Sequence, residues 1–206
     1  YDILLIADEV VTGFGRLGSM FGSGHYGIEP DFITIAKGLT SAYAPLSGSI
    51  VSDKVWKVLE DGTDEFGPIG HGWTYSAHPV CTAAGVANLK LIDELDLVAN
   101  AGAVGAYLKA AMQEALGAHP YVGDIRGEGM LCAVELTTDK QTRAPFDPAV
   151  KAGPSVVAGM LARNVIARAM PQSDIIGLAP PMCLTRAEAD LVVAATKEAL
   201  DDFNPV

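Results

Sequence analysis

Two short apolar runs, ILLIA at residues 3–7 and FITIA at residues 32–36, each stop at an ionisable side chain. Asp8 and Glu9 follow the first run, and Lys37 follows the second. Apolar, partly β-branched runs of this length, bounded by turn residues such as Pro30 and Gly38, have the makeup of buried strands. Strands buried on both faces belong to α/β sheets, and ligands sit at the carboxyl edge of such a sheet. If the two runs are parallel neighbours, a carboxylate and an amine face one crevice. A rim ion pair, or a lysine stem that snorkels to water, is the structural alternative. The chemical alternative is a lysine that forms an imine with a carbonyl cofactor while a carboxylate sits on the cofactor ring, as pyridoxal phosphate enzymes arrange it. An imine forms only from the free amine, so this reading expects a partly desolvated lysine.

The rest of the chain reads as α/β material. SGSIVS (47–52) is expected as a third strand, and Ser52 caps a short helix through Glu60. Residues 61–77 carry Gly, Pro and aromatics without periodicity, which predicts a long functional loop. Helices are expected over 79–95 and 96–116. After them GEGMLCAVELT reads as a strand, PSVVAGMLARN as a helix, VIARAM as a strand and TRAEADLVVAATKEALDDF as a closing helix. Thr185 and Glu188 have the spacing of a capping box. A soft boundary near residue 96 divides the chain into 1–95 and 96–206. The opening YDILLIADEV enters a strand directly, with no leading cap or turn, so a fragment lacking its amino-terminal part is expected.

Composition narrows the partners. A net charge of −11 without a Lys/Arg cluster argues against nucleic acid and anionic membrane surfaces. No stretch approaches the roughly 18–20 apolar residues of a membrane span. Cys81, Cys132 and Cys183 lie far apart among small apolar residues, which reads as reduced core filler in a cytoplasmic protein. GFGRLG (13–18) has the G-x-G-x-x-G spacing of a dinucleotide loop, but the glycines that follow deny it the helix such a loop requires. The four histidines have no metal-ligand spacing, and His78 before Pro79 reads as a structural or capping residue.

Three stretches, LLIADEVVTGFGRLGSMFG, PDFITIAKGLTSAYAPLS and HGWTYSAHPV, together resemble the class III (subgroup II) aminotransferases, with the nearest likeness to the omega-amino-acid:pyruvate and amine:pyruvate transaminases. The resemblance implies a fold type I pyridoxal-phosphate-dependent transferase. Residues 1–95 would be the end of its cofactor-binding large domain, and 96–206 an α+β small domain. It implies pyridoxal 5'-phosphate as cofactor, an amine donor, a keto-acid acceptor and a homodimer or tetramer. Lys37 resembles the cofactor lysine, Asp8 the partner of the pyridine nitrogen, and Val10 the apolar contact to the ring. Thr74 resembles the threonine that reaches the cofactor phosphate of the neighbouring subunit. Arg168 resembles the mobile arginine that binds the acceptor carboxylate, although the loop 170–177 after it has its own length. Trp73 stands where many relatives carry a smaller aromatic, at the site entrance. Arg186 competes with Arg168, but a helix's first turn favours a surface role. An aminomutase or a decarboxylase would use the same lysine and aspartate. The other class of reading is an inert partial domain that acts only as a folding or dimerisation unit.

Overall fold

The structure, a computed structural model, describes residues 1–171 and 174–205. The chain divides into two compact units, Tyr1–Val98 and Ala99–Val206.

In the first unit, β1 (Ile6–Asp8) and β2 (Phe32–Ile35) pair in parallel, with Ile6 opposite Phe32 and Asp8 opposite Thr34. β3 (Gly48–Val51) returns antiparallel on the far side of β2. Between β1 and β2 the chain makes a run of turns and one short helix, α1 (Gly22–His25). No helix opens at Gly18, so GFGRLG is turn architecture. α2 (Asp53–Phe66) starts where the Ser52 hydroxyl accepts from the Val55 amide, and it outruns the expected helix by six residues. The expected loop of 61–77 therefore shrinks to the irregular segment after Gly67, whose φ of 80° ends the helix. Asp61-Gly62 reads as a turn in sequence, yet the Thr63 hydroxyl bonds back to Leu59 and the helix continues. α3 (Pro79–Glu94) is capped by His78, whose Nδ1 accepts from the Val80 amide, with Pro79 in the first turn. The strands are not sealed as expected. β2 is half-buried along its length and Ile6 is 62% exposed. The unit's own helices leave these apolar faces uncovered.

The second unit holds a separate antiparallel sheet in the order β4-β5-β7-β6. β4 (Val122–Glu128) and β5 (Leu131–Leu136) form a hairpin, so the single strand expected at GEGMLCAVELT is broken by a turn at Gly129. β5 alternates, with Cys132, Val134 and Leu136 inward, the period of a strand with one buried face. β7 (Ile175–Leu178) lies between β5 and β6, and β6 is only Arg168–Ala169. Against the buried face pack α4 (Leu97–Leu116), α5 (Ala152–Ala162) and α6 (Arg186–Asp201). α4 places Ala101, Val104, Leu108, Met112 and Leu116 in the core at the three- and four-residue spacing of one helix face. Tyr121, Phe146 and Phe203 close one end as a triangle of edge-on rings, with centroids 5.5–5.8 Å apart.

The Thr185–Glu188 capping box is formed in full. The Glu188 amide donates to Thr185 Oγ1 at 3.2 Å, and the Thr185 amide donates to Glu188 Oε2 at 2.8 Å. Thr185→Ala is expected to lower the thermal midpoint of the second unit by about 4 °C, because a first-turn donor loses its acceptor. Calorimetry would check this, and an unchanged midpoint would contradict it. The cysteines are all free, but only Cys132 is core filler. Cys81 is half-buried and Cys183 is exposed beside a Pro-Pro turn.

Candidate active site

β1 and β2 deliver Asp8 and Lys37 to the same end of the sheet. Asp8 is the last residue of β1, and Lys37 stands three residues beyond Thr34, its register partner on β2. Parallel pairing makes both ends carboxyl ends, the edge at which an α/β sheet offers its ligands a crevice. The Asp8 side chain is held by two donors, the Thr34 hydroxyl at 3.0 Å and the Val10 amide at 3.1 Å, and both fall on Oδ1. Oδ2 takes neither bond and is left to a further partner. Val10 thus acts here through its backbone, with its side chain half-buried in the turn after β1.

Lys37 opens a single 3-10 turn, Lys37–Leu39, and its φ is +38°. Ser41 and Ala42, at +49° and +60°, are left-handed as well. Three non-glycine residues in this region within six positions are a concentration of backbone strain, of the kind that collects at functional sites. The turn is tied internally, since the Thr40 and Ala42 amides both donate to the Lys37 carbonyl at 3.2 Å and the Thr40 hydroxyl donates to the Ala44 carbonyl at 2.6 Å. Gly38 is favoured by close approach, because a Cβ there would stand 3.2 Å from Phe14 Cβ and 3.3 Å from the Gly13 carbonyl, so these neighbours would have to give way. Beside the turn, Lys37, Thr40, Ala42 and Pro45 line an open concavity of about 560 Å³. Lys37 itself is exposed, as is Asp8. The partial desolvation expected for the amine is therefore not provided by the described residues of this chain.

Glu9, next to Asp8, was not singled out by any motif, yet it is the buried anchor of the site. It is 2% exposed and accepts from the Gly22 amide at 2.8 Å, the Ser23 amide at 2.6 Å and the Thr12 hydroxyl. Burial alone would raise its pKa. The bonds from Thr12, Ser23 and Gly22 outweigh burial and hold the carboxyl below its usual value. The folded pKa thus lies below the unfolded one, so Glu9's contribution is complete above the ordinary carboxylate range and is lost as pH falls through the folded value. Glu9→Gln is expected to cost about 2–3 kcal/mol at neutral pH, since bonds to a buried charge are the stronger kind. The variant should also lose part of the wild type's acid sensitivity. Urea titrations of both proteins at neutral and acid pH test this, and an equal cost at every pH would exclude it. Two adjacent carboxylates after a strand were the available signal. Alternation assigns them opposite faces, one toward the crevice and one into the loop.

The other expected residues lie on other elements. Thr74 is exposed in the turn 74–77 that precedes α3. Trp73 is 78% exposed, with its amide donating to Ser76 Oγ at 2.9 Å and its ring edge-on to His71. Arg168 belongs to the second unit, exposed on the two-residue strand β6 opposite Gly177. Residues 172–173 of the loop after it lie outside the described residues. Arg186 is stacked over the Tyr107 ring at 5.1 Å, which agrees with its expected surface role.

Asp8 and Lys37 stand at the carboxyl ends of two parallel strands, and the solved structures similar to this chain are transaminases of fold type I, a pyridoxal-phosphate-dependent class. The family model Aminotransferase class-III matches residues 1–200. The chain belongs to the class III aminotransferases, a pyridoxal-phosphate-dependent family. It is 60% identical to a diaminobutyrate–2-oxoglutarate transaminase of Halomonas elongata, over 98% of this chain and 43% of that protein. It is 41% identical to a putrescine–pyruvate aminotransferase of Pseudomonas aeruginosa, over 98% of this chain and 42% of that protein. A crystal structure of a thermostable (S)-enantioselective omega-transaminase from Thermomicrobium roseum superposes with a TM-score of 0.90 at 42% identity, covering 97% of this chain and 43% of that one. The chain thus spans less than half the length of the relatives it matches.

The residues present fit the family's cofactor. Asp8 offers an acceptor oxygen whose twin is already fixed by two donors, which suits a ring N–H. Lys37 offers a primary amine at the rim of a concavity.

Proposed function

We propose that the protein works as a transaminase that moves an amino group from an amine or an omega-amino acid to pyruvate or a similar keto acid, in two half-reactions that share one site. The observation that carries this reading is the delivery of Lys37, on a strained turn, and Asp8, fixed through one oxygen, to one end of two parallel strands. Pyridoxal 5'-phosphate, when bound, supplies an electron-withdrawing ring that lets the carbon bearing the amino group give up a proton.

This chain's residues would supply the rest. Lys37 Nζ would hold the cofactor and, when free of it, would carry the proton from one carbon to the other. Asp8 Oδ2 keeps the ring nitrogen protonated, since a carboxylate facing N–H stabilises the charged form. The Val10 side chain would offer an apolar contact to the ring, in addition to its backbone bond to Asp8. Thr74 binds phosphate in a neighbouring subunit, which makes the working form a homodimer. Arg168 takes the acceptor carboxylate through its planar fork, and Trp73 narrows the entrance. Residues 1–95 form the end of the cofactor-binding domain and 96–206 the small domain.

The diaminobutyrate–2-oxoglutarate and putrescine–pyruvate relatives support an amino group arriving from a diamine-type donor and leaving on a keto acid, 2-oxoglutarate in one and pyruvate in the other. An aminomutase or a decarboxylase would use the same lysine and aspartate but would need no keto acid. The deciding experiment follows the visible absorbance of the cofactor-loaded protein. Borohydride should fix the cofactor to the peptide that bears Lys37, an amine donor should bleach the band, and pyruvate or 2-oxoglutarate should restore it. Bleaching that no keto acid reverses would sink the transaminase reading.

A further inference from the structure

We propose that Asn88, in the middle of α3, is a positioning residue for Lys37, one that holds the strained turn from outside; the proposal rests on Lys37 being the cofactor lysine. Left-handed backbone at Lys37, Ser41 and Ala42 persists only where the surroundings over-determine it. The internal bonds of the turn close on the Ala36, Lys37, Thr40 and Ala44 carbonyls, while the Gly38 carbonyl receives from within the turn a 3.4 Å bond from the Ser41 amide. Asn88 supplies what is missing. Its Nδ2 donates to the Gly38 carbonyl at 2.8 Å and to the Leu39 carbonyl at 3.2 Å, and its Oδ1 accepts from the Ser41 hydroxyl at 2.6 Å. Two carbonyls need a donor and a hydroxyl needs an acceptor, so a carboxamide fits and its orientation is fixed by its partners.

The helix is brought close enough by Gly85, one turn earlier on the same face of α3. A Cβ on Gly85 would stand 3.2 Å from Leu46 Cδ2 and 3.8 Å from the Leu39 carbonyl. All three Asn88 bonds go to residues one to four positions past Lys37, and none goes to a strand. A residue that only fastened α3 to the sheet would have no reason for this choice. The clamp grips backbone on one side of Lys37 and leaves its four-carbon stem unpinned.

The test compares full-length wild type, Asn88→Asp and Ser41→Ala, with Lys37→Ala marking the background. Asn88→Asp keeps the shape but turns an oxygen toward two carbonyls, and Ser41→Ala removes a single hydroxyl from an exposed turn. The readout is the rate at which cofactor becomes fixable by borohydride on the Lys37 peptide, scaled to the folded fraction at the assay temperature. Misplacing a reacting group by about 1 Å can cost up to 10²-fold. Capture is therefore expected to slow by about 10-fold in Asn88→Asp and by less in Ser41→Ala. Equal capture rates, or a deficit wholly accounted for by unfolded protein, would overturn the clamp while leaving Lys37 in its role. Should Asn88→Asp fail to fold, Ser41→Ala decides alone, and unchanged capture overturns the proposal. If the wild type itself fixes no cofactor at Lys37, the lysine assignment fails and the clamp falls with it.

Discussion

Lys37→Ala is expected to lower transamination by about 10⁴-fold or more while the first unit stays folded. Both halves of the expectation come from the turn. The Lys37 side chain is exposed, so its truncation removes little packing. The turn is closed through the Lys37 carbonyl and through its neighbours' backbone, all of which alanine keeps. Alanine is also no more strained than lysine at φ +38°. What disappears is the amine, and with it the proposed tether for the cofactor and the proposed carrier of the proton between the two carbons. Single-turnover rates with an amine donor, measured beside near-ultraviolet circular dichroism, read the two halves separately. A variant that folds and retains even a tenth of the wild-type rate would remove Lys37 from the mechanism.

Asp8→Asn should be the second largest effect, with the rate lowered by about 10²–10³-fold and the cofactor still bound. The Thr34 hydroxyl and the Val10 amide are both donors and both address Oδ1. In asparagine they would hold the amide oxygen in that place and force the NH₂ into the place of Oδ2. A donor then confronts the position of the ring nitrogen, where an acceptor is required, and the isosteric change cannot rotate out of the conflict. The comparison to make is kcat against the cofactor dissociation constant. A loss confined to cofactor affinity, with kcat intact, would mean that Asp8 only binds.

The sequence showed some of this and hid the rest for physical reasons. The carboxylate-strand-lysine logic was visible because strand ends are written locally, as a β-branched run that stops at a charge. The capping residues Ser52, His78 and Thr185 were equally legible, since each cap depends on neighbours within three positions. β7 was missed because IIGL is short and runs into Pro180-Pro181, and only its pairing with β5 makes it a strand. The end of α2 was missed because Asp61-Gly62 has turn composition although the chain stays helical through Phe66, with the Thr63 hydroxyl donating to the Leu59 carbonyl. Asn88 was out of reach altogether. It lies 47 to 50 residues from the groups it binds, inside an ordinary helical stretch, and no local pattern marks it. The exposure of Lys37 was misjudged for a related reason, since apolar composition says that a strand seeks cover but not which chain provides it.

The turn at residues 37–42 divides one side chain into a fixed pivot and a free reach. A lysine that both anchors a cofactor and ferries a proton has two opposed requirements, a constant point of attachment and an arm that can swing. Clamping only the backbone meets the first without taxing the second. Substitutions that slacken the pivot would therefore register as lost accuracy of aim, whereas crowding of the concavity beside it would register as lost travel.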